Sequence, residues 1–177
     1  MCFNINLIRV LRALFLLLQC LLIGGGCGPL HSRSVVESVD DLTRDTYQTY
    51  DHGSLAVATN ALYSYIRFID GHKQEVSPYR EVDLMLYTAH ARLAYMLFRM
   101  GNEMGAAQEM ATAYTHYKLY AKSQKNLSLV SPDQFVDFAL DGVEKTDAAR
   151  EVAWQGEVAP VNTNTVSHVK AFFKGYK

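Results

Sequence analysis

The sequence predicts an all-α fold, a small antiparallel helical bundle. Apolar residues recur at three- and four-residue steps through the middle of the chain. Serine, proline and glycine stand where helices begin and end, and no stretch alternates in the two-residue rhythm of a strand.

The element from Ser54 to Asp70 carries Leu55, Ala58, Leu62, Ile66 and Ile69 on one stripe. Gly71 follows where a left-handed cap is wanted. In "SPYREV", Ser77 suits a cap, Pro78 the first helical position and Glu81 the positive helix end. This start predicts a helix to Met100, with Val82, Leu86, Ala89, Leu93, Leu97 and Met100 inward and Gly101 ending it. Asn102 caps the next helix, whose inward face is Ala106, Met110, Ala113 and Tyr117. Ser131, Pro132 and Gln134 form a capping-box start. Phe135, Phe138 and Ala139 give that helix its apolar face, with a break near Gly142 or Thr146.

The chain ahead of residue 54 divides in two. "MCFNINLIRVLR" has Arg9 and Arg12 and no acid, and Ala13 to Ile23 is apolar apart from Gln19. A membrane-spanning helix needs about 20 apolar residues, so this run is short for one and suits a secretory signal. Gly24, Gly25 and Gly26 then end any helix, and Cys27 follows them. From Gly28 the composition is that of a tether, with Pro29, Ser32 and Ser34, and a short helix is expected around Val39 to Tyr50.

Small residues ahead of a cysteine, after an apolar core, make this start similar to the lipobox of bacterial lipoproteins. The resemblance implies cleavage before Cys27, a diacylglyceryl group on its thiol and usually a further acyl chain (palmitate, for instance) on the new amino terminus. Several chains hold where one barely would, since each buried methylene contributes about 0.8 kcal/mol. Gly24 departs from the pattern, which usually has an apolar residue there, while Gly25 and Gly26 fit it. Two other readings compete: an ordinary signal cut elsewhere, or an uncleaved anchor over residues 7 to 26 with Arg9 and Arg12 at the cytoplasmic face. Cysteine use favours lipidation, because cutting before Cys27 removes Cys2 and Cys20 and leaves no stray thiol and no possible disulfide. Gly28 after the cysteine implies, by analogy, the outer membrane facing the periplasm. The organisation expected is a signal peptide over 1–26, a lipidated tether over 27–53, a helical domain over 54–155 and a C-terminal linker and tail over 156–177.

The hairpin from Tyr87 to about Tyr120 resembles a tetratricopeptide repeat, a pair of antiparallel helices of about 34 residues. Leu93, Ala94 and Leu97 fall at its first-helix positions, Gly101 in its turn, and Ala106, Met110 and Ala113 at its second-helix positions. His90 and Lys118 depart from it. The resemblance implies a TPR-like helix-turn-helix array, needing flanking helices to cover it. It also implies a ligand face on the first helix, at Thr88, Ala91, Arg92, Tyr95 and Arg99. Arg92 and Arg99 share a side there and suit an acidic peptide or a carboxylate.

Chemistry finds little footing. Net charge is −1 and becomes more acidic once the signal's arginines are gone, so nucleic acid is not an expected partner. The six histidines form no zinc motif, and His90 and His116 could approach each other across the hairpin without a third ligand. No nucleophile elbow and no phosphate loop is present, so neither catalytic residues nor a cofactor or metal is expected. Tyr114, Tyr117 and Tyr120 trace one helical face, which reads as packing against a neighbouring helix, a recognition surface being the other reading. The ending "VSHVKAFFKGYK" is aromatic enough to dock on the body, although a partner-binding or membrane-touching tail is the other reading. The function expected is a non-catalytic, membrane-anchored adaptor with a protein or peptide partner. The alternatives are an envelope enzyme with an unrecognised site and a self-associating structural lipoprotein.

Overall fold

A computed structural model describes residues 34–141 and 165–176. The signal, Cys27 and the expected break near Gly142 or Thr146 lie outside the described residues. Those described are all-α: seven helices and no strand. In chain order they are α1 Val35–His52, α2 Leu55–Gly71, α3 Lys73–Val76, α4 Val82–Arg99, α5 Glu103–Ser123, α6 Pro132–Ala139 and α7 Thr165–Gly175. From Ser34 onward they belong to one compact unit.

The antiparallel hairpin α4–α5 is the most extensively packed pair, and α2 packs on both α1 and α4. The turn between α4 and α5 has a Schellman geometry. Gly101 takes φ +78°, its N–H donates to Phe98 O at 2.9 Å and that of Asn102 to Leu97 O at 2.9 Å. Asn102 Oδ1 then accepts from Gly105 N–H at 3.0 Å and starts α5. Leu55, Ala58, Leu62 and Ile69 on α2 and Leu86, Ala89 and Leu93 on α4 are almost wholly buried, as are Ala106, Ala113 and Tyr117 on α5. Full burial of a large apolar side chain contributes about 1.5–3 kcal/mol.

Four local expectations are corrected. The helix expected around Val39 to Tyr50 starts earlier, at Val35, because Ser34 and Glu37 form a capping box: Ser34 Oγ accepts from Glu37 N–H at 3.2 Å, and Glu37 Oε2 accepts from Ser34 N–H at 3.1 Å. Val39, Thr46 and Tyr50 then pack into the core, so this segment is part of the body. Gly71 has no left-handed conformation. The cap is His72, stacked on Phe68 with ring centroids 4.3 Å apart, and the chain runs on into α3. Ser77 and Pro78 therefore fall in the turn after α3, and α4 starts at Val82 with no side-chain cap. Finally, Met100 and Phe138 are exposed, at 49% and 47%, and Val136 and Leu140 take the buried places beside Phe135.

The capping box at α6 forms as expected, with Ser131 Oγ accepting from Gln134 N–H at 3.3 Å and Gln134 Oε1 from Ser131 N–H at 3.0 Å. Tyrosine hydroxyls on α5 fix the loop leading to it: Tyr114 donates to Val130 O and Tyr117 to Ser128 O, both at 3.0 Å. The tyrosine face of α5 packs, with Tyr87, Tyr114, Tyr117, Tyr120, Phe135 and Phe138 in one aromatic cluster. The terminus docks. Helix α7 buries Val166, Val169 and Phe173, places Phe172 4.7 Å from Phe98 on α4, and pairs Lys174 with Asp137 on α6. Among the described residues, no helix is long and apolar enough to cross a membrane.

Candidate functional site: an apolar cleft beside the terminal helix

The residues expected to line a ligand face do not form an open one. Thr88 donates to Leu84 O in its own helix at 2.8 Å. Arg92 lies over the rings of Tyr47 and Tyr50 on α1, at 5.1 and 5.7 Å from their centroids. Tyr95 is fully buried, so its place as a surface contact is corrected: helix α4 is covered on that side. Arg99 donates to the Tyr95 hydroxyl at 3.0 Å. Helix α2 packs on α4, and α1 brings Tyr47 and Tyr50 against Arg92. Burial pushes the Tyr47 phenol far above its usual range, and the opposing Arg92 charge reverses little of that. Arg92 is thus a cation–π brace between α4 and α1, and Arg99 makes its contact with Tyr95 within α4.

The concavity lies on the other side. Helix α5 supplies Ala107, Met110 and Tyr114 to one wall, α6 supplies Phe135 and Val136, and Phe173 stands at the end of α7. Together they bound an open cleft of about 370 Å³. Small side chains at Ala107 and Ala111 leave the room, and the Ser131 capping box sets the angle at which α6 closes the far wall. Among the described residues, no carboxylate, imidazole, amine or guanidinium lines it; the polar groups are the Gln108 amide and the phenols of Tyr114 and Tyr176. Such a surface offers contact area and hydrogen-bond tips.

The titratable groups converge elsewhere, between α4 and α5. His90 Nδ1 lies 2.5 Å from Glu109 Oε2, and His116 Nδ1 lies 2.9 Å from Asp83 Oδ1. The two imidazoles stack at 5.5 Å with planes 9° apart. Their expected approach across the hairpin is therefore real, and each brings a carboxylate that sequence reading missed. The signal was present: an acid and a histidine stand seven residues apart on both helices, Asp83 with His90 and Glu109 with His116. Antiparallel packing sets each acid against the other helix's histidine. Lys73 adds an ion pair to Asp83 at 2.9 Å. Partial burial pushes the Asp83 carboxyl up, but hydrogen bonds from His116 and Lys73 and their charges outweigh it and hold it below the usual value.

Carboxylate acceptors place the proton of both imidazoles on Nδ1. His90 Nε2 is buried and has no hydrogen-bond partner among the described residues. No hydroxyl or thiol bonds to either ring there, no metal-holding group of three or more His, Cys, Asp or Glu forms, and none of these groups lines the cleft. The cluster braces the hairpin. Compared with known protein families, curated proteins and solved structures, the chain matches none of them.

Proposed function

We propose that this protein is a lipoprotein of the bacterial cell envelope, anchored through Cys27, whose helical body is a non-catalytic adaptor for a protein or peptide partner. The observation that carries the adaptor reading is the cleft between α5, α6 and α7: open, about 370 Å³, and walled by aromatic and aliphatic side chains, with no carboxylate, imidazole, amine or guanidinium among the described residues. A site of that character recognises apolar side chains through desolvation and supplies no group to move a proton. The His–carboxylate pairs, which an enzyme would use, are spent on each other between α4 and α5. The resemblance of residues 13 to 27 to a lipobox supports the anchor, and by the same analogy the body faces the periplasm from the outer membrane.

A photo-reactive amino acid placed at Ala111, on the cleft wall, tests the adaptor reading in intact cells of the source bacterium. A control at the exposed Ser64 of α2 reports on collisions. The reading expects a discrete cross-linked protein from Ala111 that is absent from Ser64. No adduct from Ala111, or the same adducts from both positions, overturns it.

A further inference from the structure

The terminal helix packs into the core through one apolar face. Helix α7 carries an apolar stripe, Val166, Val169, Phe172 and Phe173, at the three- and four-residue steps of an amphipathic helix, and Tyr176 follows just past its end. Val166, Val169 and Phe173 are buried, whereas Ser167, His168 and Ala171 face outward. Phe98 of α4 receives this stripe, with ring centroids 4.7 Å from Phe172 and 6.1 Å from Phe173. Lys174 Nζ reaches both Asp137 oxygens, at 2.6 and 2.7 Å. The seat nonetheless exceeds the helix. The cleft opens directly beside Phe173 and Tyr176, and Tyr176 remains 52% exposed at its rim.

An apolar groove with a helix seated in it shows which ligand it takes: position, stripe and charge can be read from the occupant. We propose that the groove formed by Phe98, Phe135, Val136 and Asp137 is a docking site for an amphipathic helix of a partner protein. That partner presents an aromatic pair and a basic residue as α7 does, and α7 is the resident competitor it must displace. The inference rests on the adaptor reading and names its ligand class. Asp137 gives register, since a helix with an acid in place of Lys174 would bring two carboxylates together. The resident helix lowers the apparent affinity of any partner by the fraction of time that it occupies the groove.

The probe is a fluorescein-labelled peptide of residues 165–177, titrated by anisotropy against the full chain. The Phe173→Asp chain, whose own helix is dislodged, is expected to bind it at least about tenfold more tightly than the native chain. A peptide carrying the same Phe173→Asp change is expected not to bind. Equal affinity for both chains overturns the proposal, as does absence of saturable binding to a Phe173→Asp chain that keeps its helical circular dichroism. Should that variant unfold, Lys174→Glu decides, because it leaves the apolar stripe intact. It is expected to gain roughly threefold, and a chain with Asp137→Lys should prefer a Lys174→Glu peptide over the native one. No gain and no charge preference overturn the proposal. A native chain that sediments as a dimer, with Phe173→Asp a monomer, also overturns it, since α7 then serves a second copy. Failure of the adaptor reading looks different: the peptide competes as stated, yet Ala111 captures no protein in the cell.

Discussion

At the scale of single residues, Gly101 and Asp83 bear the clearest consequences. Gly101 holds φ +78°, where a Cβ is strained although no atom stands within 4 Å of it. Gly101→Ala should therefore destabilise the body by about 1–2 kcal/mol, through backbone alone, with Gly101→Asn milder. Urea unfolding followed by circular dichroism measures it, and an unchanged midpoint contradicts the Schellman assignment.

Asp83 has a depressed folded pKa, so its contribution is present above the unfolded carboxyl value of 3.8 and is lost as pH falls through the lower folded value. The thermal midpoint of Asp83→Asn should lie below the native one at pH 6, with the gap closing as the pH drops below 3.8. A gap independent of pH contradicts it. Of the expected ligand residues, Arg92 lies against Tyr47 and Tyr50 of α1, and Arg99 against Tyr95 of its own helix. That α1 would bring tyrosines under Arg92 was not legible, because nothing in the spacing along α4 says which other helix lies beside it.

At the scale of elements, the sequence spoke clearly wherever a local rule and a packing need agreed. The stripes of α2, α4 and α5, the Ser131 box and the Gly101 turn are all of this kind. It misled where a local signal was sufficient alone. Ser77–Pro78 has the chemistry of a helix start, yet α3 uses the preceding residues and leaves it in a turn. The Ser34–Glu37 box was equally visible and lay hidden within a stretch whose glycine, proline and serine content suggested a tether. The reciprocal Asp83/His116 and Glu109/His90 pairs needed the antiparallel register, which only the folded hairpin supplies.

The Ser131 box carries a prediction at this scale. Ser131→Ala should cost about 1 kcal/mol and loosen α6, the far wall of the cleft. Hydrogen exchange should rise over 132–139 with that of α2 unchanged. Uniform acceleration across both helices contradicts it.

For the whole molecule, the described residues contrast a closely packed core with an apolar cleft. Where α1 and α2 meet α4, burial is nearly complete and the polar groups brace neighbouring helices. Where α5, α6 and α7 meet, an apolar cleft stays open. Exposed Met104, at 67%, and Phe138, at 47%, add apolar surface on α5 and α6. If the body is an adaptor held at a membrane, this cleft is the face it offers a partner.

That body acts at a bilayer only if Cys27 carries lipid, which makes the intact mass of the membrane-extracted protein the most direct test. The account predicts a chain beginning at Cys27, heavier than its amino acids by a diacylglyceryl group with or without a further acyl chain, and a Cys27→Ala variant that lacks this addition. A protein that keeps Met1, or one that leaves the membrane with an unmodified thiol at Cys27, contradicts it.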